Sequence, residues 1–316
     1  MDIEQAMQKF ERILEKIDPD DMQTFLRRAQ ERIKEELQCG DGGDHHNEDV
    51  MLDNIRDSLR ESLPLSAVSR TETIVHPSFG PNSKMDPKHT IHVDAFLYDD
   101  QKFDELCDDG KMSRNYCTQC GSHDMKPLTV LTHSASVPQL KYIFLHLLPS
   151  LRDKTLLDIG SRTGAVLYGA YLYSSCQNIV GVEIDSTFCK LQQKTIEDYS
   201  FEDRIKVYQQ DILDNPSLIS SSDVVFMNNV FEFFQTKELQ ERMWRALSEA
   251  LRKPGMTVIT VPSIEESLEN LGILKEVNMD WLKPVDLRKE RKRAKCELLG
   301  GNSDEDELDN IFMYKT

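Results

Sequence analysis

Three carboxylates stand where a nucleoside would need them. Asp158, Glu183 and Asp211 each close a short apolar run, in "KTLLDIG", "NIVGVEID" and "RIKVYQQDI". Glu183 follows Asp158 by 25 residues, about where an acid that holds a ribose belongs. A carboxylate there accepts hydrogen bonds from both ribose hydroxyls. Asp211 is suited to accept from an adenine amino group, with Ile212 beside the ring. Between the first two acids lies "DIGSRTG", in which Gly160 permits a tight turn and Gly164 lets a helix begin close to the strand. A fourth run, "SDVVFMNN", ends in Asn228 and Asn229. Their side-chain carbonyls could orient an N–H donor over the same cleft, or simply satisfy the backbone at a strand end. Phe231, Phe233 and Phe234 follow directly, as candidate walls of the site or as core.

These residues need a scaffold that brings successive strand ends together, and residues 136–316 supply its pattern. Short apolar runs alternate with helical stripes from "PQLKYIFLHLLPSL" through "TKELQERMWRALSEALRK" to "GMTVITVPS". Alternation of this kind predicts an α/β fold, doubly wound around a mostly parallel sheet. In such a sheet ligands bind at the carboxyl ends of the strands, at the switch point. The tail "IFMYKT" reads as a last edge strand.

The order of the four segments resembles the class I S-adenosylmethionine-dependent methyltransferases over roughly residues 135–316. "LLDIGSRTG" is similar to the family's first motif, "GVEID" to its second, "QQDI" to its third and "SDVVFMNNVFEFF" to its fourth. The resemblance implies that Asp158, Gly160, Ser161 and Gly164 border the methionine end. It implies that Glu183 and Ile184 meet the ribose, Asp211 and Ile212 the adenine, and Asn228 the reacting end. The same "NN" resembles fourth motifs of some protein N-methyltransferases and equally of small-molecule and O-methyltransferases, with a slight lean to a nitrogen acceptor on a protein or small molecule. Arg162 stands where the family's commonest turn has glycine. The position tolerates a side chain that points away from the ligand, so cofactor binding is expected to survive. The side chain is expected to tune affinity or to contact the methionine carboxylate. A dinucleotide-binding turn is disfavoured, because "GSRTGA" lacks the "GxGxxG" spacing. The competing reading is an inactive scaffold that keeps the fold and works through protein contacts.

Two further regions precede the sheet domain. Residues 1–63 carry three helical apolar stripes, the last formed by Leu52, Ile55, Leu59 and Leu63. They predict a helical module that packs on itself, on the main domain or on a protein partner. Residues 64–135 form an accessory segment. Its "YCTQCGS" is similar to a zinc knuckle, with Cys107, Cys117, Cys120 and His123 as a candidate ligand set and His133, His89 or His92 as alternatives. A reduced loop with packed thiols competes with that reading, as does a redox pair. In "HSASVPQL", His133, Ser134 and Ser136 either reach the reacting end or cap the next helix.

The chain has 316 residues and a formal net charge of −17, which argues against a general binder of phosphate backbones. The fourth segment also lacks the "NPPY" type of motif found in nucleic-acid methyltransferases. The sequence holds no apolar run long enough to span a membrane and begins with no signal peptide. Seven cysteines at uneven spacing do not form a disulfide framework, which predicts a reducing, cytoplasmic setting. The basic run Arg288 to Lys295 reads as a nuclear address, an acidic partner's contact or a solvated face of the last strand region.

Overall fold

A computed structural model describes residues 45–117, 125–229, 231–298 and 307–316. The chain divides into two compact units, Met1–Asp49 and Val50–Thr316. Cys120, His123 and residues 1–44 of the expected helical module lie outside the described residues.

Apolar runs of five or six residues build the centre of the second unit. The strands are β1 (Thr90–Asp94), β2 (Asn115–Cys117), β3 (Met125–Pro127), β4 (Thr129–His133), β5 (Thr155–Ile159), β6 (Asn178–Glu183), β7 (Ile205–Gln209), β8 (Val224–Asn228), β9 (Thr257–Val261), β10 (Lys283–Pro284) and β11 (Phe312–Lys315). The helices are α1 (His46–Ser62), α2 (Asp100–Asp108), α3 (Val137–Lys141), α4 (Ala165–Tyr173), α5 (Ser186–Asp198), α6 (Ser217–Ser221), α7 (Lys237–Ala250), α8 (Ile264–Leu271) and α9 (Arg288–Leu298).

Seven strands form one sheet in the order β10-β11-β9-β8-β5-β6-β7. The pairs β5/β6, β6/β7, β5/β8 and β8/β9 are parallel. β11 runs antiparallel to β9 and to β10. The tail strand is therefore inside the sheet and not at its edge, because two-residue β10 pairs along its outer side. The chain leaves β5 toward β6 and β7, then returns to β8 on the other flank of β5. That reversal is the switch point at which such sheets open a crevice.

Alternation along the strands sorts side chains to two faces. Leu156, Phe226 and Ile259 join α4 and the Leu52, Ile55 and Leu59 stripe of α1 in one core. Leu157, Val225, Met227 and Val258 join Met243 and Trp244 of α7 and Leu268 of α8 in the other. This is the doubly wound α/β architecture that the alternating pattern predicts. The third stripe thus packs on the main domain, where Arg56 also donates to the Phe96 carbonyl at 2.7 Å. The basic run forms helix α9 instead of a face of the strand region. Its Arg291 and Lys295 pair with Asp309.

Two glycines set how closely α4 and its turn approach the sheet. A Cβ on Gly181 of β6 would lie 2.7 Å from Leu167 and 2.9 Å from the Ser161 hydroxyl. A Cβ on Gly164, at φ +88°, would lie 2.6 Å from the Tyr168 ring. The accessory segment adds a separate two-stranded parallel sheet, β1 with β4, in which Asp94 is opposite His133.

Candidate functional site

A cleft of about 460 Å³ opens at the carboxyl ends of β5, β6, β7 and β8. That volume falls in the range of about 300–1,000 Å³ usual for small-molecule and cofactor sites. Asp158, Gly160, Ser161, Glu183, Ile184, Asp211, Ile212 and Asn228 all line it. Two residues expected at the site do not. Gly164 acts one step behind the wall, through its close approach to Tyr168. Asn229 has left-handed backbone, at φ 45°, and faces a neighbouring cavity of about 50 Å³ beside Glu232.

The turn after β5 is held from three sides. Gly160 and Ser161 donate to the Val182 carbonyl at 2.8 and 3.2 Å. The Ser161 hydroxyl donates to Gln192 Oε1 at 2.9 Å, and Gln192 Nε2 donates to the Arg162 carbonyl at 2.7 Å. The Arg162 amide donates to Glu183 Oε2 at 2.8 Å. Gln192 is fully buried in α5, a place that its polarity alone gives no reason to expect.

Glu183 is 7 % exposed, and its second oxygen accepts from the Asp185 amide at 2.8 Å. Burial raises its pKa above the usual carboxylate range, against the pull of these amides. Each oxygen keeps a second lone pair for a hydroxyl donor. Asp158 is 3 % exposed, and its carboxylate accepts no hydrogen bond from any described residue. Burial, and then the neighbouring charge of Glu183, raise it well above the usual range. A buried carboxylate without a donor fits a cationic or N–H-bearing ligand group. Asp211 caps the turn Ile212–Asp214 by accepting from the Leu213 amide at 2.9 Å, and so fixes Ile212 against the cleft.

The Arg162 side chain is turned to the accessory segment. Its backbone is left-handed, at φ 43°, the conformation glycine usually supplies. Its guanidinium ion-pairs with Asp94, donates to Glu72 at 3.0 Å and donates to the Ala67 carbonyl at 2.7 Å. Burial opposes its charge, and the Asp94 and Glu72 carboxylates outweigh that, raising its pKa further. Asp94 is fully buried and also accepts from the Ser134 hydroxyl and from the amides of Phe96 and Leu97. All three nitrogens of the guanidinium are thus engaged by the chain itself.

Residues 67–75 cross the strand ends as a strap. After β6, Ser69 donates to Asp185 at 3.3 Å and Thr71 meets Thr187 at 2.8 Å. After β5, Glu72 meets Arg162. After β8, the Val75 amide donates to the Phe233 carbonyl at 2.7 Å. Thr71, Glu72 and Thr73 line the cleft from this side. His133 and Ser134 line it from the end of β4, while Ser136 caps α3 in a capping box with Gln139. Phe231 and Phe234 line the cleft, and Phe233 is buried behind it. No signal in the sequence pointed to Glu72, Asp94 or Gln192, because the partners they meet at the turn are remote along the chain.

Among the described residues no cluster of three or more His, Cys, Asp or Glu side chains suits a metal ion. Cys107 and Cys117 lie in α2 and β2, and the other two candidate ligands are outside the described residues. No helix among the described residues is long and apolar enough to cross a membrane.

A sequence model of the family described as "Methyltransferase domain" matches residues 157–257, from β5 to the first residue of β9. An RNA methyltransferase from Salinibacter ruber, solved with S-adenosyl-L-homocysteine, is 18% identical with a TM-score of 0.36, covering 58% of this chain and 91% of that one. A geranyl diphosphate C-methyltransferase from Streptomyces coelicolor A3(2) is 14% identical with a TM-score of 0.37, covering 56% of this chain and 76% of that one. Comparison of the sequence with curated proteins gives no match.

Proposed function

We propose that this chain, a class I S-adenosylmethionine-dependent methyltransferase by its domain, transfers the methyl group to a nitrogen acceptor that arrives neutral, or arrives cationic and gives a proton to water before its lone pair reacts. The observation that carries the reading is the cleft at the β5/β8 switch point, with Asp158 and Glu183 buried in its wall and Asp158 unpartnered among the described residues. Bound there, S-adenosylmethionine supplies a methyl group already activated on a sulfonium, so that an acceptor lone pair displaces a neutral thioether.

The chain's own task is to bind, align and keep water out. Glu183 would hold the ribose hydroxyls, with its carboxylate fixed by the Arg162 and Asp185 amides. Asp211 and Ile212 would meet the adenine, and Ile184, which is 59% exposed, would cover the ribose side. Asp158 would take the ammonium of the methionine end. Asn228, His133, Phe231 and Phe234 would border the acceptor, and the strap would close the opening above them.

Charge supports this acceptor class. Five carboxylates line the cleft, Glu72, Asp158, Glu183, Asp185 and Asp211, against one guanidinium that Glu72 and Asp94 already engage. An acceptor with a phosphate or carboxylate near its reacting atom meets repulsion there, whereas an amine does not. The net charge of −17 disfavours nucleic acid for the same reason.

Calorimetric titration with S-adenosylmethionine tests the cofactor half, using the intact protein and Glu183→Gln. Micromolar binding that weakens at least about tenfold in the variant is expected, as for loss of a charge-assisted hydrogen bond. Transfer of a radiolabelled methyl to a panel of amines, lysine- and arginine-bearing peptides, phenols and RNA then tests the acceptor half. Labelling confined to phenols overturns the nitrogen reading, and labelling confined to RNA overturns the charge argument. Absence of binding to well-folded protein overturns the enzyme reading and leaves a scaffold.

A further inference from the structure

Two histidines of the accessory segment meet at the rim of the cleft. His92 in β1 and His133 at the end of β4 come together because the two strands pair in parallel, with Asp94 opposite His133. His92 Nδ1 and His133 Nε2 are 2.8 Å apart. The ring planes differ by 5° and their centroids are 5.1 Å apart. Nearly parallel planes at that separation, with so short a nitrogen contact, describe two rings joined edge to edge by an in-plane hydrogen bond and not stacked faces.

Aromatic rings hold the pair in place. Phe233 meets both imidazoles edge-on, at 6.1 and 5.7 Å, and Phe234 tilts against His133 at 5.3 Å. Phe233 is itself 2% exposed and anchored to the strap through Val75. His133 is 4% exposed, yet it lines the cleft together with Asn228 and Phe234. With Nε2 committed to His92, Nδ1 is the ring nitrogen without a hydrogen-bond partner among the described residues.

We propose that His133 faces the methyl acceptor and accepts a hydrogen bond from its N–H through Nδ1, with His92 as the positioning residue that fixes its ring and tautomer. This rests on the methyltransferase reading above. In that tautomer Nε2–H of His133 donates to His92 Nδ1, and the lone pair of Nδ1 is turned to the acceptor. Burial, and then the charge of Arg162, push the His133 imidazole down to about 3, so it stays neutral. A ring so weakly basic orients an amine without keeping its proton, and the proton of the methylated product leaves to water. His92 is also lowered, by burial and then Arg162. The charged groups packed around the pair are Arg162 and Asp94, which bind each other.

The test uses two cofactor analogues and needs no acceptor. Sinefungin carries a primary amine at the position of the transferable methyl, and S-adenosylhomocysteine carries none. Calorimetry should show that His133→Phe binds S-adenosylhomocysteine within about twofold of the intact protein but sinefungin about tenfold more weakly, the loss expected for one hydrogen bond to a charged donor. His92→Phe should lose part of the same preference, and His92→Asn, which can still hold His133 Nε2, should recover it. An unchanged ratio of the two affinities in His133→Phe, with S-adenosylhomocysteine still bound, overturns the assignment. Failure of the intact protein to bind either analogue overturns the cofactor reading and this proposal with it. If His133→Phe does not fold, nitrogen-15 NMR of histidine-labelled intact protein decides. Sinefungin should move the His133 Nδ1 resonance and S-adenosylhomocysteine should not, and equal shifts overturn the proposal.

Discussion

Asp158 is a residue whose burial costs stability until a ligand answers it. Its carboxylate has no donor among the described residues, sits beside Glu183 and is raised well above the usual range. The sign of its effect follows from linkage. A carboxyl whose folded pKa lies above its unfolded value of 3.8 supports the fold fully below 3.8, and that support is lost as pH rises toward the folded pKa. Asp158→Asn should therefore raise the thermal midpoint of the ligand-free protein at pH 7, with the gain shrinking as the pH is lowered to 3.8. The same variant should bind S-adenosylmethionine at least about tenfold more weakly. Scanning calorimetry and titration measure the two halves, and a variant no more stable than the parent at pH 7 would refute the first. Stability bought at the expense of the site is the familiar trade at binding residues. His133 works in the opposite sense. Its folded value of about 3 lies below the ordinary imidazole value of 6.5, so its contribution is complete above 6.5 and is lost as pH falls toward 3. Over that window stability should decline by up to about 1.4 kcal/mol per pH unit from this residue. Denaturant titrations of the intact protein and His133→Phe between pH 4 and pH 7 should show a shallower slope in the variant.

At the scale of elements, Arg162 converts a cofactor turn into a fastening point. Its amide braces Glu183 while its guanidinium grips the strap and β1, so the turn, β6 and the accessory segment share one residue. Removing one partner of a buried ion pair leaves the others uncompensated and costs about 3–5 kcal/mol. Arg162→Ala should lose that much, and hydrogen exchange should quicken at the Val75 amide before it does in β5. Arg162→Gly relaxes the left-handed backbone but should not restore the strap's protection. If the strap stays as protected in Arg162→Gly as in the parent, the fastening role fails. Gly164→Ala should also destabilise, by about 1–3 kcal/mol, since the new Cβ meets the Tyr168 ring and sits at positive φ. The turn and the strands from β5 to β8 were legible in the sequence because each apolar run there ends in a glycine, an acid or an amide that local rules recognise. Arg162's role was not, because Glu72 and Asp94 lie 90 and 68 residues away along the chain. His92 and His133 are 41 residues apart and meet only through a strand pairing between two short polar segments. The place of β11 was likewise hidden, since a two-residue strand such as β10 leaves no periodic signal.

At the scale of the molecule, charge links the cleft to the whole surface. The chain carries a net charge of −17, and its cleft is lined by five carboxylates against one engaged guanidinium. The field at the mouth therefore favours cations, and the sulfonium gives S-adenosylmethionine one more positive charge than its demethylated product. The two ligands share adenine, ribose and the amino-acid end, so contacts to those groups cancel when they are compared. What remains is the interaction of one charge with buried and partly exposed carboxylates. Salt screens the exposed part of that interaction, because the Debye length falls from about 10 Å at 0.1 M to about 3 Å at 1 M. S-adenosylmethionine should therefore lose affinity more steeply with added sodium chloride than S-adenosylhomocysteine does. Product release would be helped by the same difference, since losing the sulfonium removes an attraction that the acidic cleft provides. Paired calorimetric titrations from about 0.05 M to about 0.5 M salt measure the two slopes. Parallel slopes would mean that the carboxylates act only through local hydrogen bonds, and the charge argument for a neutral or cationic acceptor would fall with them.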